Sequence, residues 1–161
     1  MSEWERSGGS DEWYTPPEIF EALRLRFSID VASPGKDHWV PAVNVFTKEE
    51  DGINQEWKGC VFMNPPFGGR NGQVPWLKKF IHHRNGIAIV AARTSSKWFQ
   101  DLIPRCDAIL FPRGKTKFIK PTGEVGKSPG SGIVIIAMGR EAKKALQESG
   151  LGIYLEIGVS T

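Results

Sequence analysis

Gly86-Ile87-Ala88-Ile89-Val90-Ala91-Ala92 contains no polar side chain, and how this run is read decides the fold. A strand with one wet face alternates apolar and polar residues, whereas a run apolar at every position needs cover on both faces. Such cover is typical of a parallel sheet carrying helices above and below. The flanking segments agree. Upstream, Trp76, Leu77, Phe80 and Ile81 recur at helical spacing. Downstream, Thr94-Ser95-Ser96 reads as a cap, followed by a helix whose core face is Trp98, Phe99, Leu102 and Ile103.

Further out, strands and helices continue to alternate. Thr15-Pro16-Pro17-Glu18 has Thr at a cap position, Pro at the first helical position and Glu three residues on, which predicts a capping box opening a helix that runs to about Arg26. Residues 27–32 read as a strand with Asp30 near its carboxyl end, residues 33–43 as irregular chain, and residues 43–46 and 60–63 as further short strands. Strands over 107–111 and 133–138, a helix over 141–148 and a strand over 152–157 complete the chain. The expected fold class is α/β, a doubly wound single sheet flanked by helices. At 161 residues the chain is expected to form one domain over 13–161, behind a polar, frayed segment over 1–12.

Composition narrows the function classes. Hydrophobic content of 40% and charged content of 24% are ordinary for a globular domain. No apolar stretch approaches membrane-spanning length, and the N-terminus lacks a basic-then-apolar leader, so no membrane partner is expected. Cys60 and Cys106 lie far apart in apolar runs and read as buried thiols in a reducing cytoplasm. The adjacent His82 and His83 would point apart on a helix and read as surface residues, so no metal site is expected. A net charge of +3 is small. It is unevenly spread, however: Arg113, Lys115, Lys117, Lys120 and Lys127 lie between Pro112 and Ser131, opposed only by Glu124 and interleaved with Gly and Pro. This pattern suits a loop following a phosphate backbone, and equally a solvated hairpin.

The strand at 60–63 ends in Asn64-Pro65-Pro66-Phe67. Both prolines fix φ and lack an N–H, so the segment cannot continue a helix or a central strand. The Asn64 side-chain oxygen beside the Pro65 carbonyl supplies two acceptors about one amino group apart, and Phe67 supplies a stacking face. That combination suits an exocyclic amine on a flat heterocycle, such as N6 of adenine. The tetrapeptide is also a good turn sequence. Asp30 and Asp51 would project from the same end of the sheet, where open α/β sheets collect ligands. Their plain alternatives are a helix cap or turn acid for Asp30 and a simple turn for Asp51-Gly52. The chain has no Gly-x-Gly-x-x-Gly and no Walker-type loop, which argues against nucleotide hydrolysis and a standard dinucleotide site.

Taken in order, the segments at 11–18 (Asp-Glu-Trp-Tyr-Thr-Pro-Pro-Glu), 29–33 (Ile-Asp-Val-Ala-Ser), 51–53 (Asp-Gly-Ile), 57–59 (Trp-Lys-Gly) and 64–67 (Asn-Pro-Pro-Phe) resemble the phage-type Dam family of DNA N6-adenine methyltransferases. The likeness continues through Ala92-Arg93-Thr94, Trp98-Phe99 and 114–118, and covers most of residues 11–138. It implies a Rossmann-like methyltransferase fold, S-adenosylmethionine as methyl donor, double-stranded DNA as partner, and the host cytoplasm if a phage or prophage encodes the chain. Carried over residue by residue, Thr15 and Pro16 would pack near the methionine end of the cofactor. Asp30, with Ala32 beside it, would lie near its polar tail, and Asp51 would accept from its adenine amine. Asn64, Pro65, Pro66 and Phe67 would hold the target base. The charge pattern, separately, puts forward Arg113, Lys115, Lys117 and Lys120 as the residues to meet DNA. In one place the chain departs from its larger relatives: Ala32-Ser33-Pro34-Gly35 stands where they carry a glycine-rich turn.

The chemistry expected is base flipping, capture of both N6 hydrogens by Asn64 and Pro65, and in-line attack on a sulfonium methyl. No metal and no covalent enzyme intermediate is required. Cytosine N4, an RNA base or a protein amide would offer a similar amine, and a non-catalytic nucleic-acid-binding module is the reading from a different class. Loops 68–73 and 112–131 are the segments left to carry sequence specificity, since a chain this short has no room for a separate recognition domain.

Overall fold

The computed structural model describes residues 14–35, 39–66, 72–119, 126 and 132–158. The expected segment 1–12, Phe67, Lys120 and most of loops 68–73 and 112–131 therefore lie outside the described residues. Among the described residues seven strands form one sheet: β1 (Phe27–Asp30), β2 (Ala42–Val45), β3 (Val61–Met63), β4 (Gly86–Ala91), β5 (Ala108–Pro112), β6 (Ile133–Met138) and β7 (Gly152–Glu156). The helices are α1 (Pro17–Leu23), α2 (Val74–His83), α3 (Lys97–Leu102) and α4 (Arg140–Glu148), with three short 3₁₀ turns between elements.

The strand order is β2-β1-β3-β4-β6-β5-β7. β2, β1, β3 and β4 run parallel, while the β4–β6, β6–β5 and β5–β7 pairs are antiparallel. The sheet is therefore mixed: the expected α/β class and single sheet flanked by helices hold, with β6 and β7 running against the other five strands. The physical reason is the route into β6. This strand returns from β5 to lie between it and β4, and it pairs with both in the opposite sense.

The apolar run that opened the reading is buried at all six positions of β4. Its alternate residues serve two cores. Ala88 and Val90 pack with Leu77, Phe80 and Ile81 of α2 and Phe99 and Leu102 of α3. Ile87 and Ile89 pack on the other side with Ile19, Phe20 and Leu23 of α1 and Ala142 and Leu146 of α4. Phe20, Phe27 and Phe62 meet in this second core with ring centroids 4.9–6.4 Å apart. Each fully buried aromatic or aliphatic side chain contributes about 1.5–3 kcal/mol relative to exposure, so the two-sided core dominates the fold's stability. Both cysteines are buried in these cores, and burial pushes the Cys60 thiol up to about 11 and Cys106 up to about 12.

Several local boundaries differ from the sequence reading. α1 ends at Leu23 rather than near Arg26, because Arg24 turns left-handed (φ 51°) and its N–H caps back to the Phe20 carbonyl. Pro16, not Thr15, occupies the N-cap of α1, and no side chain caps that end. The expected capping box is absent because the Thr15 hydroxyl is engaged elsewhere. β1 stops at Asp30, and Val31 and Ala32 form a turn. The cap at Ser96 does form, its hydroxyl accepting from the Phe99 N–H at 3.4 Å. His82 is exposed as expected, but His83 is half-buried and donates through Nε2 to the Gly59 carbonyl at 2.7 Å.

Candidate active site

The chain passes from β1 to β2 on one side of β1, then places β3 on the other side. The order reverses there, and the crevice beyond the carboxyl ends of β1 and β3 is where an open α/β sheet collects ligands. Asp30 ends β1, and Asn64 directly follows β3. Both line a recess that opens to solvent, together with Tyr14, Thr15, Ala32, Pro34, Trp39, Val40 and Phe62.

Asp30 is 1% exposed. Its Oδ1 accepts from the Ala32 N–H at 3.2 Å, while Oδ2 is buried with no hydrogen-bond partner. Burial pushes the carboxyl up to about 7, and the Ala32 N–H partly opposes the shift. A buried acceptor left without a partner is costly in isolation and suits a cationic or hydrogen-bond-donating ligand.

Asn64 donates from Nδ2 to the Thr15 Oγ1 at 2.9 Å. Thr15 is itself 4% exposed, and its carbonyl accepts from the Trp39 indole N–H at 2.7 Å. Trp39 in turn meets Tyr14 edge-on at 5.2 Å. With Nδ2 committed to Thr15, Asn64 Oδ1 is the end of the amide left to receive a donor. Pro65 is buried and Pro66 half-buried beside it.

Asp51 stands apart from this group. It follows β2, adopts a left-handed conformation (φ 55°), is exposed, and accepts from Asn54 Nδ2 at 2.5 Å. Its carboxylate is not among the groups lining the recess. The turn it belongs to is nonetheless fastened beside β1. A Cβ on Gly52 would fall 1.9 Å from the Val31 carbonyl oxygen, so only glycine allows this approach. Trp57 donates from Nε1 to the Gly52 carbonyl at 2.8 Å. Lys79 donates to the Ile53 carbonyl at 2.8 Å and to the Gln55 carbonyl, and its ammonium sits 4.9 Å above the Trp57 ring.

Pro16 is buried at the start of α1 and does not line the recess. Arg113, Lys115 and Lys117 are exposed, and Phe118 next to them is 3% exposed within the second core. Ile119 then exchanges backbone hydrogen bonds with Tyr14 at 2.8 and 2.9 Å. The stretch from Arg113 to Lys117 is thereby anchored at its carboxyl end, first by the apolar plug of Phe118 and, one residue on, by the bridge from Ile119 to a residue of the recess.

Sequence reasoning missed Trp39, Val40 and Pro34. Residues 33–43 read as irregular, and the one available signal was an apolar Trp-Val pair in an otherwise featureless stretch. It also missed Gln73, 4% exposed, whose Oε1 accepts from the Ala91 N–H at 3.0 Å at the end of β4. Among the described residues no three His, Cys, Asp or Glu side chains gather to hold a metal ion, and no helix is long and apolar enough to cross a membrane.

No curated protein and no solved structure matches the chain. A family model described as DNA N-6-adenine-methyltransferase (Dam) matches residues 5–148, spanning the recess, the Asn64 corner and the basic segment. The chain belongs to the Dam family of DNA N-6-adenine-methyltransferases.

Proposed function

We propose that the protein transfers a methyl group from S-adenosylmethionine to the N6 amine of adenine in double-stranded DNA, on a Rossmann-like methyltransferase fold. The observation carrying this reading is the pairing, in one recess, of a partnerless Asp30 oxygen with an Asn64 amide whose nitrogen is already bound. The recess suits the cofactor in kind. Tyr14, Trp39 and Phe62 offer flat apolar walls, and Asp30 offers a carboxyl oxygen for the ammonium of its amino-acid tail. Asp51 keeps its proposed role toward the cofactor's adenine amine, which requires its carboxylate to leave Asn54.

When bound, S-adenosylmethionine supplies an electrophilic methyl on a sulfonium. The protein's own work is to present the nucleophile. The target adenine leaves the duplex, because its N6 is unreachable within the base stack. Asn64 Oδ1 and the Pro65 carbonyl accept the two N6 hydrogens. The nitrogen lone pair, delocalised into the ring at rest, localises as the nitrogen becomes tetrahedral. The two acceptors then stabilise the positive charge that develops there. With the amine held by Asn64 and Pro65, its nitrogen would take the methyl as S-adenosylhomocysteine leaves, and the excess N6 proton would pass to solvent. Phe67 would stack on the base, and Arg113, Lys115, Lys117 and Lys120 would follow the phosphates.

Purified protein, S-adenosylmethionine and duplex DNA, followed by nucleoside mass spectrometry, test the reading. N6-methyladenine is expected. N4-methylcytosine, or methyl transfer only to RNA or protein, would replace it with one of the rival substrates.

A further inference from the structure

An asparagine amide is nearly symmetric in shape but not in polarity. Turned by 180°, Asn64 would present an NH₂ donor to an amine that also donates, and the grip would become a repulsion. Something must fix the orientation, and Thr15 Oγ1 is the atom bonded to that amide. A hydroxyl can both donate and accept, so it fixes the amide only if its own proton is engaged elsewhere. Thr15 is buried, its backbone is pinned by Trp39 through the carbonyl, and it lines the recess. No described residue accepts its hydroxyl proton.

We infer that Thr15 is a positioning residue that couples occupancy of the recess to the polarity of the Asn64 amide. An acceptor on the occupant, of the carboxylate class, takes the Thr15 hydroxyl proton. The hydroxyl oxygen must then accept from Asn64 Nδ2, and Oδ1 is held toward the substrate amine. This reassigns Thr15 from packing to hydrogen-bond steering. It rests on the reading of Asn64 as the amine acceptor and of the recess as the cofactor site.

The test reads the Asn64 side-chain amide by ¹⁵N NMR, assigned by its loss in Asn64→Asp. Two probes are compared: S-adenosylhomocysteine, which carries the carboxylate, and 5′-methylthioadenosine, which does not. Saturating S-adenosylhomocysteine should shift one Nδ2 proton downfield and slow its solvent exchange about tenfold or more, as expected for one strengthened hydrogen bond. 5′-Methylthioadenosine should leave it near its free value. Thr15→Ser should keep the response and kcat within about threefold, whereas Thr15→Val should abolish the response and lower kcat about tenfold. Equal responses to both probes, or a response that survives in Thr15→Val, would overturn the inference. Absence of any binding heat with S-adenosylhomocysteine would instead overturn the cofactor reading beneath it.

Discussion

Asp30 and Asn64 stand at the carboxyl ends of neighbouring parallel strands and line the same recess, one with a partnerless oxygen and the other with its nitrogen already committed. A partnerless carboxyl oxygen and an amide, the groups proposed to meet the cofactor's ammonium and the substrate amine, are thus brought side by side at the point where strand order reverses. A methyl donor and its acceptor need that proximity, since positioning two reactants supplies a large share of rate enhancement in such a transfer.

The Asp30 carboxyl should make stability fall as pH rises. Its ordinary value is 3.8 and burial pushes it up to about 7 in the folded protein. A group raised on folding contributes most below its unfolded value and loses that contribution as pH climbs to the folded one. Moving from 3.8 to about 7 corresponds to on the order of 4 kcal/mol at about 1.4 kcal/mol per pH unit. Urea unfolding of the ligand-free protein and of Asp30→Asn should give matching pH trends below pH 4. The variant should then gain relative stability up to about pH 7 and level off. A constant difference across that window would show that Asp30 titrates normally. The same variant should bind S-adenosylhomocysteine more weakly at pH 8, because the ligand's ammonium loses its counter-charge.

Gly52→Ala should be severely destabilising. The added methyl would lie 1.9 Å from the Val31 carbonyl, which is backbone and cannot swing away. Relief requires shifting either the turn after Asp51 or the turn after Asp30, at a cost of about 1–3 kcal/mol or more. A denaturant midpoint equal to that of the wild type would mean the two turns do not abut as described.

Replacing Lys115 and Lys117 together with Ala should weaken DNA binding and reduce its salt dependence. Each phosphate contact contributes about 0.9 to the slope of log K against log salt, so the pair should flatten it by about two. Both side chains are exposed, and the fold should be unaffected. An unchanged slope would move the DNA surface off this segment.

Much of this architecture was legible in the chain. β4 announced itself because six consecutive buried positions leave no room for polar residues. The Asn64 corner was legible because two prolines forbid every regular continuation. The antiparallel half of the sheet was not, since periodicity says where a strand runs but not in which direction its neighbour lies. The Thr15-Pro16-Pro17-Glu18 pattern misled for a specific reason. A local capping box competed with a tertiary partner 49 residues away, and the Asn64 amide won. Trp39 was invisible for the same reason: its value comes from a contact with the Thr15 carbonyl 24 residues earlier. Asp51 was placed at the correct edge of the sheet, but the bond to Asn54 that turns its carboxylate aside depends on a left-handed backbone no spacing rule reports.

Single-turnover methylation by Asn64→Ala, with S-adenosylhomocysteine affinity measured calorimetrically on the same preparation, bears most directly on the proposed grip of the amine by Asn64 and Pro65. Loss of one preorganised acceptor should slow transfer to adenine about 100- to 1,000-fold while cofactor affinity stays within about threefold. Transfer at the wild-type rate, or a collapse of cofactor affinity that accounts for the whole loss, would contradict it.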